Sequence, residues 1–282
     1  TAFMKLKCPL VIRLHGSDPY FCRLEGRPQQ KKNLWFEQIA LPGADQSLSV
    51  SEFTARKTRE IFDLKKEIKV IPNAVDVEAF KPDRGKIIPD SILYFGSIIR
   101  KKGVLELAEI FKLVREQNPE AKLIMVGRDV PDISTWKSTK ALFLEKLGSE
   151  NIKNVEWTGG LPYEKVKGEI SRAAVVVLPS FAEALPMTWL EAMSMEKALV
   201  TSDIGWAKEV MIDGKTGFTV YPKDHELYAK KVLELLSDPE LGTEMGKAAR
   251  EQVLEKFSTE VVVEENIKFY EGAVNSSKRD GD

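Results

Sequence analysis

Short apolar runs alternate with stretches of helical period along most of this chain. Ala173-Ala-Val-Val-Val-Leu-Pro179 is too short for a globular helix and rich in β-branched residues. Such a run predicts a strand buried on both faces, as in a parallel sheet. After Pro186 the period becomes helical, with Met187, Leu190, Met193 and Ser194 on one side. Pro186 suits a first helical turn. Cys8–Leu14, Ala44–Val50, Ile68–Ile71, Ile92–Phe95, Lys122–Val126, Asn154–Thr158, Ala198–Thr201 and Gly217–Val220 are further predicted strands. Helices are predicted over Gln29–Ala40, from the Ser51 cap to Phe62, and from Gly103 to Asn118. The last of these shows Val104, Leu107, Ala108, Phe111 and Val114 as an i, i+3, i+4, i+7 stripe. Trp136–Leu147, Pro162–Arg172, Lys223–Leu236, Leu241–Phe257 and Thr259–Glu271 complete the helices, and Ser276–Asp282 reads as a frayed tail. His15-Gly-Ser-Asp-Pro19 reads as a turn. Val77–Pro89, rich in proline and charge and without a period, marks a domain boundary. Strands alternating with helices give an α/β fold with doubly wound parallel sheets. The expected domains are 1–88, 89–257 and a closing segment 258–282.

The chain has 282 residues, long for one domain and comfortable for two. Its net charge of −1 gives no reason to expect nucleic acid. Cys8 and Cys22 form no CxxC pair, which fits reduced thiols in a cytosolic protein. No apolar run approaches a membrane span and no signal peptide is evident. The chain enters a strand almost at once, the pattern of a fragment of something longer.

Candidate chemistry gathers where strands end. Glu183 falls in the loop after the Ala173–Pro179 strand, and Glu191 falls one to two turns into the next helix. In open α/β sheets ligands bind at that edge. The two acids are not a close dyad, since eight helical positions span roughly 12 Å. A carboxylate accepts paired hydrogen bonds from vicinal hydroxyls, so Glu191 suits a ribose and Glu183 a reacting sugar. The ordinary alternative is two acids offsetting a helix dipole. Gly96-Ser97-Ile-Ile-Arg100-Lys101-Lys102-Gly103 joins a strand to a helix, where free N–H groups and basic side chains meet anions. A glycine turn with solvated lysines is its ordinary reading. There is neither a Walker loop nor a GxGxxG motif. His15 with Asp18 lies at a strand's carboxyl end, and Gly205-Trp206-Ala-Lys-Glu209 is either a pocket wall or, equally, a helix-starting turn with Trp206 in the interdomain contact. His225 is expected simply to be exposed. No histidine, cysteine or carboxylate cluster has metal-ligand spacing.

Together these residues resemble a family. Glu183 and Glu191 with Ala192-Met193 are similar to the motif of the retaining glycosyltransferases of family 4, the glycosyl transferases group 1, which have the GT-B fold. The likeness extends to Phe95-Gly96…Lys102-Gly103, Val70-Ile-Pro-Asn-Ala-Val-Asp76, Leu178-Pro-Ser180 and Asp213-Gly214…Thr216-Gly217-Phe218. It covers Pro9 to Phe257. The resemblance implies a complete carboxy-terminal Rossmann-like domain that binds the nucleotide sugar. It also implies a partial amino-terminal Rossmann-like domain on the acceptor side, and a closing helix that crosses back to it. The implied reaction moves a sugar from a UDP- or GDP-linked donor to a glycan or lipid-linked acceptor, with retention and without a cofactor or a required metal. His15 and Glu183 take the catalytic positions. Gly96, Ser97, Arg100, Lys102, Gly103, Ala184, Leu185, Met187 and Glu191 take the donor-binding ones, with Lys102 on the diphosphate. Departures are Ser97 where the family often has arginine, with Arg100 as the replacement charge, and Ala184-Leu185-Pro186 for a Gly-Phe-Gly. Ala74 replaces a glycine, and the family's first strand and glycine-rich loop are absent. The alternative function is a nucleotide-sugar-binding fragment without transfer activity of its own. Phosphorylases, epimerases and glycoside hydrolases fit less well, the last because their carboxylates flank one bond. The implied location is cytoplasmic. Peripheral contact with the inner membrane face through Arg23, Arg27, Lys31 and Lys32 is weaker than an ordinary solvated face.

Overall fold

The run Val175–Leu178 forms a strand whose four residues are all buried, as its β-branched composition requires. It is one strand of two parallel sheets in a computed structural model that describes residues 8–83 and 85–279. The chain divides into two units. One holds the residues up to Ala74, Glu183–Leu185 and the chain from Lys256 onward; the other holds Val75–Ala182 and Pro186–Glu255.

The first unit runs β1 (Val11–Leu14), α1 (Asp18–Glu25), α2 (Lys31–Gly43), β2 (Gln46–Ser49), α3 (Glu52–Phe62) and β3 (Lys69–Val70). Its parallel sheet has the order β1-β2-β3. Leu14, Leu41, Ala55 and Ile68 form one core cluster, and Leu48, Ile71 and Val262 form another. Ser51 starts α3 by accepting a 3.1 Å bond from the Thr54 amide, which satisfies one orphan donor of the first turn. Helix α1 replaces the turn expected at Ser17-Asp-Pro19. Pro19 sits in its first turn, where a missing N–H costs nothing, so the same proline that reads as a turn opens a helix.

The second unit begins with β4 (Ser91–Phe95), a 3₁₀ turn at Arg100–Lys102, α4 (Val104–Gln117), β5 (Lys122–Val126), α5 (Thr139–Leu147) and α6 (Ser149–Ile152). It continues with β6 (Val155–Gly159), α7 (Tyr163–Arg172), β7 (Val175–Leu178), α8 (Met187–Ser194), β8 (Leu199–Thr201), α9 (Ala207–Val210), β9 (Phe218–Thr219), α10 (His225–Ser237) and α11 (Pro239–Lys256). The strand order is β6-β5-β4-β7-β8-β9, parallel throughout. The order reverses between β4 and β7, so their outgoing loops flank the switch point where such sheets bind ligands. Residues 75–83 and 85–89 group with this unit. Phe80 is buried there and its carbonyl accepts from Ser194 Oγ at 2.7 Å. The helix expected from Trp136 starts three residues later. Trp136 closes a turn instead, with φ +59° and 81% exposure, and its amide bonds the Asp132 carbonyl at 2.7 Å.

The last helix, α12 (Thr259–Arg279), belongs to the first unit. Val262 and Phe269 pack with Leu48 and Ile71. Asn266 Oδ1 accepts from Arg13 at 2.8 Å, and Arg13 also donates to the carbonyls of Ile71 and Pro72 at 3.1 and 3.0 Å. Helical pairing thus extends through most of the stretch expected to fray. Residues 280–282 of that stretch lie outside the described residues.

Candidate functional site

Two loops of the second unit are clasped together at the switch point. The first leaves β4 at Gly96, whose φ of +139° is glycine territory. Tyr94 Oη donates to the Ser97 carbonyl at 2.8 Å. The Ile98 amide bonds the Arg128 carbonyl at 2.9 Å, which ties the loop to the exit of β5. Gly103 then adopts φ +70°, and a Cβ there would lie 1.9 Å from the Pro179 carbonyl oxygen. The Phe181 amide closes the clasp on the Lys101 carbonyl at 2.8 Å. Glycine at 103 is therefore demanded by the loop that leaves β7.

Lys102 lies over Gly96: its Nζ is 3.9 Å from where a Gly96 Cβ would stand. Arg100 is committed elsewhere. Its guanidinium grips Asp132 at 2.7 and 3.0 Å, and Asp132 also accepts from Thr135 Oγ1 at 2.8 Å. The bidentate bond from Arg100 draws Asp132 down to about 2. Within that pair the two charges cancel, so Lys102 is the basic side chain that the loop lays over Gly96.

Glu191 stands in the second turn of α8 with 7% of its surface exposed. Tyr163, the first residue of α7, donates its hydroxyl to Glu191 Oε1 at 2.7 Å. Burial pushes the Glu191 carboxyl above its ordinary value, while the Tyr163 bond and the Lys102 charge pull it back. Burial and the adjoining carboxylate raise Tyr163 above the usual phenol range, so it remains a donor. Met187, half-buried, is the first residue of α8, whose N-terminal dipole favours negative charge.

The first unit holds the remaining expected residues. His15, exposed at the end of β1, lies below the ordinary imidazole value because of desolvation and the Arg13 charge. Asp18 is engaged by Arg27 at 3.1 Å. Glu183 lines a small, open pocket with Gly16, Ser17, Tyr20, Phe21, Phe53, Thr54, Lys57 and Thr58. Tyr20 meets Phe21 and Phe53 edge-on at 5.3 and 5.6 Å. Ser17 is 4% exposed and its Oγ has no hydrogen-bond partner. The residues that follow His15 and the Glu183 carboxylate thus share one aromatic-walled pocket. The Ala184 carbonyl accepts from Ser51 Oγ at 2.7 Å and Thr54 Oγ1 at 3.3 Å, and Leu185 is buried.

Two other expectations change. Trp206 is fully buried, so it is core and not a pocket wall. His225 is not simply exposed: its Nε2 lies 2.6 Å from Glu106 Oε2, with both side chains partly covered. Arg27, one of the four basic residues considered for a membrane face, is also held by Glu25 at 2.6 Å. Among the described residues no helix is long and apolar enough to cross a membrane, and no group of three or more histidine, cysteine or carboxylate residues is gathered. Sequence reasoning missed Tyr163, Asp132 and Ser17. No spacing links Tyr163 to a glutamate in another helix; the only local hint is its place just after Gly159-Gly160-Leu-Pro162.

Comparison with known proteins agrees with this geometry. The family profile described as Glycosyl transferases group 1 matches residues 80–252, and that of Glycosyltransferase Family 4 matches residues 1–79. An alpha-maltose-1-phosphate synthase of Mycolicibacterium smegmatis is 28% identical over 93% of this chain and 72% of its own length. A trehalose synthase of Thermococcus litoralis is 28% identical over 92% of this chain, which spans only 58% of that relative. Among solved structures, sucrose-phosphate synthase from Thermosynechococcus elongatus superposes with a TM-score of 0.81 at 22% identity, covering 94% of this chain and 68% of that one. Anabaena HepE, in complex with UDP-glucose, gives 0.78 at 20% identity, covering 94% and 72%.

Proposed function

Because the chain belongs to the glycosyl transferases group 1 family and has the GT-B type of α/β fold, we propose that it transfers a sugar from a UDP- or GDP-linked donor to a glycan or lipid-linked acceptor, with retention of anomeric configuration. The observation that carries this reading is the switch point of the second unit, where the clasped loops lay Lys102 over Gly96 and Glu191 is buried with the Tyr163 hydroxyl donating to it. Charge develops on the leaving diphosphate as the glycosidic bond breaks. Lys102 meets that charge with an ammonium held in place before the reaction, which is the efficient form of electrostatic stabilisation. Glu191 accepts from ribose hydroxyls, and Glu183 accepts from hydroxyls of the transferred sugar. His15, its value lowered, is neutral at pH 7 and serves as a hydrogen-bonding group beside that sugar. We assign no protein nucleophile and no metal.

The Anabaena complex with UDP-glucose supports trying UDP first. A second reading, nucleotide-sugar binding without transfer, rests on the chain spanning 58% of the trehalose synthase. Proton NMR of UDP-glucose and GDP-glucose incubations, with monosaccharide, sugar-phosphate and oligosaccharide acceptors, tests the proposal. The expected result is a new α-linked anomeric signal that Glu183→Gln suppresses and a chelator leaves intact. A β-linked product contradicts retention. Tight nucleotide binding with no product from any acceptor favours the second reading.

A further inference from the structure

The Tyr163–Glu191 bond joins a buried carboxylate to a largely exposed side chain. Tyr163 is 56% exposed, yet its hydroxyl reaches a carboxylate that is 7% exposed. Its ring is steadied from behind. Phe80 packs against it edge-on, with ring centres 5.1 Å apart. The Phe80 carbonyl in turn takes bonds from Ser194 Oγ at 2.7 Å and from Arg250. The chain thus builds an anchored support for a residue that itself faces solvent.

From this geometry we infer that Tyr163 is a positioning residue for ribose recognition: it fixes the Glu191 carboxylate through Oε1 so that Oε2 is presented to a ribose hydroxyl. The inference rests on the proposed ribose role of Glu191. A carboxylate that is buried and unheld rotates about its last torsion, which is broad, and takes up a proton more readily. Tyr163 opposes both. Lys102 also acts on Glu191, its charge favouring the ionised carboxylate. The open part of the Tyr163 ring then borders the place where the nucleoside lies.

Calorimetric titration with UDP and GDP, each beside its 2′-deoxy form, tests this on wild type, Tyr163→Phe, Glu191→Gln and the double variant. Phenylalanine keeps the ring against Phe80, so folding is preserved. In the wild type we expect the ribo form of the better nucleotide to bind about tenfold more tightly than its deoxy form, the scale of one hydrogen bond to a charged group. Tyr163→Phe should weaken the ribo form about tenfold, leave the deoxy form nearly unchanged and move the acid limb of the affinity profile to higher pH. The double variant should bind no more weakly than Glu191→Gln alone, because both changes remove one coupled interaction. Equal loss for ribo and deoxy forms, or additive losses in the double variant, would overturn the inference while leaving Glu191 its role. Unchanged affinity in Glu191→Gln, or no binding by the wild type, would overturn the ribose reading and the inference with it.

Discussion

The two units carry candidate sites built by opposite means. The switch point of the second unit is rigid and charged: backbone meets backbone at Gly103 and Pro179, Arg100 grips Asp132, and Glu191 is buried with a donor on it. The pocket of the first unit is mostly aromatic and hydroxylic, with Lys57 and Glu183 at its lining: Tyr20, Phe21 and Phe53 wall it, and the Ser17 hydroxyl has no partner. A diphosphate and a ribose offer fixed charges and vicinal hydroxyls, which rigid charged groups recognise well. A neutral sugar ring offers apolar faces and scattered hydroxyls, which rings and hydroxyls suit. The contrast says that stability and recognition should separate differently in the two units when each is altered.

The largest effect should come from Gly103→Ala. Its Cβ would stand 1.9 Å from the Pro179 oxygen at φ +70°. We expect a loss of roughly 3 kcal/mol in urea unfolding together with nucleotide binding, since strain and clash act at once. Gly96→Ala, whose Cβ has nothing nearer than 3.7 Å, should cost less; equal costs would refute the clasp. Next comes Asp132→Asn. Asp132 is held at about 2 against an ordinary 3.8, which converts to about 2 kcal/mol at most. Its folded value is depressed, so this stability is fully present above pH 3.8 and fades as pH falls toward 2. The gap between wild type and variant should therefore narrow as pH falls from 3.8 toward 2, the two converging only at about pH 2 and below, and a constant gap would contradict the ion-pair origin. In the first unit Ser51→Ala should cost about 1 kcal/mol through the lost cap of α3. The smallest effect belongs to Ser17→Ala, which removes a buried hydroxyl with no partner. Its stability should match or slightly exceed the wild type; a loss like that of Ser51→Ala would mean that the folded chain already uses the hydroxyl.

Legibility in the sequence follows the same division. The switch point could be read because parallel strands are apolar runs and loops at their ends carry glycine and charge. Gly96, Lys102, Gly103 and Glu191 stand there in the sequence before any coordinates. What could not be read were pairings between distant elements. Asp132 is one acid among many until Arg100 meets it, and Tyr163 is an ordinary helix-opening aromatic until its hydroxyl meets Glu191. Ser17 and the aromatic wall are invisible for a different reason, since rings at helical spacing look like core. Two local signals misled. Pro19 marks turns and helix starts equally, and hid α1. The apolar Trp136 fell in phase with α5, although it belongs to the turn that Asp132 organises.

The central claim is that the second unit's switch point is a nucleoside-diphosphate site with Glu191 on the ribose. The most direct measurement is calorimetric titration of this chain with UDP, GDP and ADP, repeated on Glu191→Ala. The account predicts that one nucleotide binds and that the variant loses at least tenfold in affinity, the scale of a charged hydrogen bond. No binding by the wild type, or binding that Glu191→Ala leaves unchanged, would contradict it.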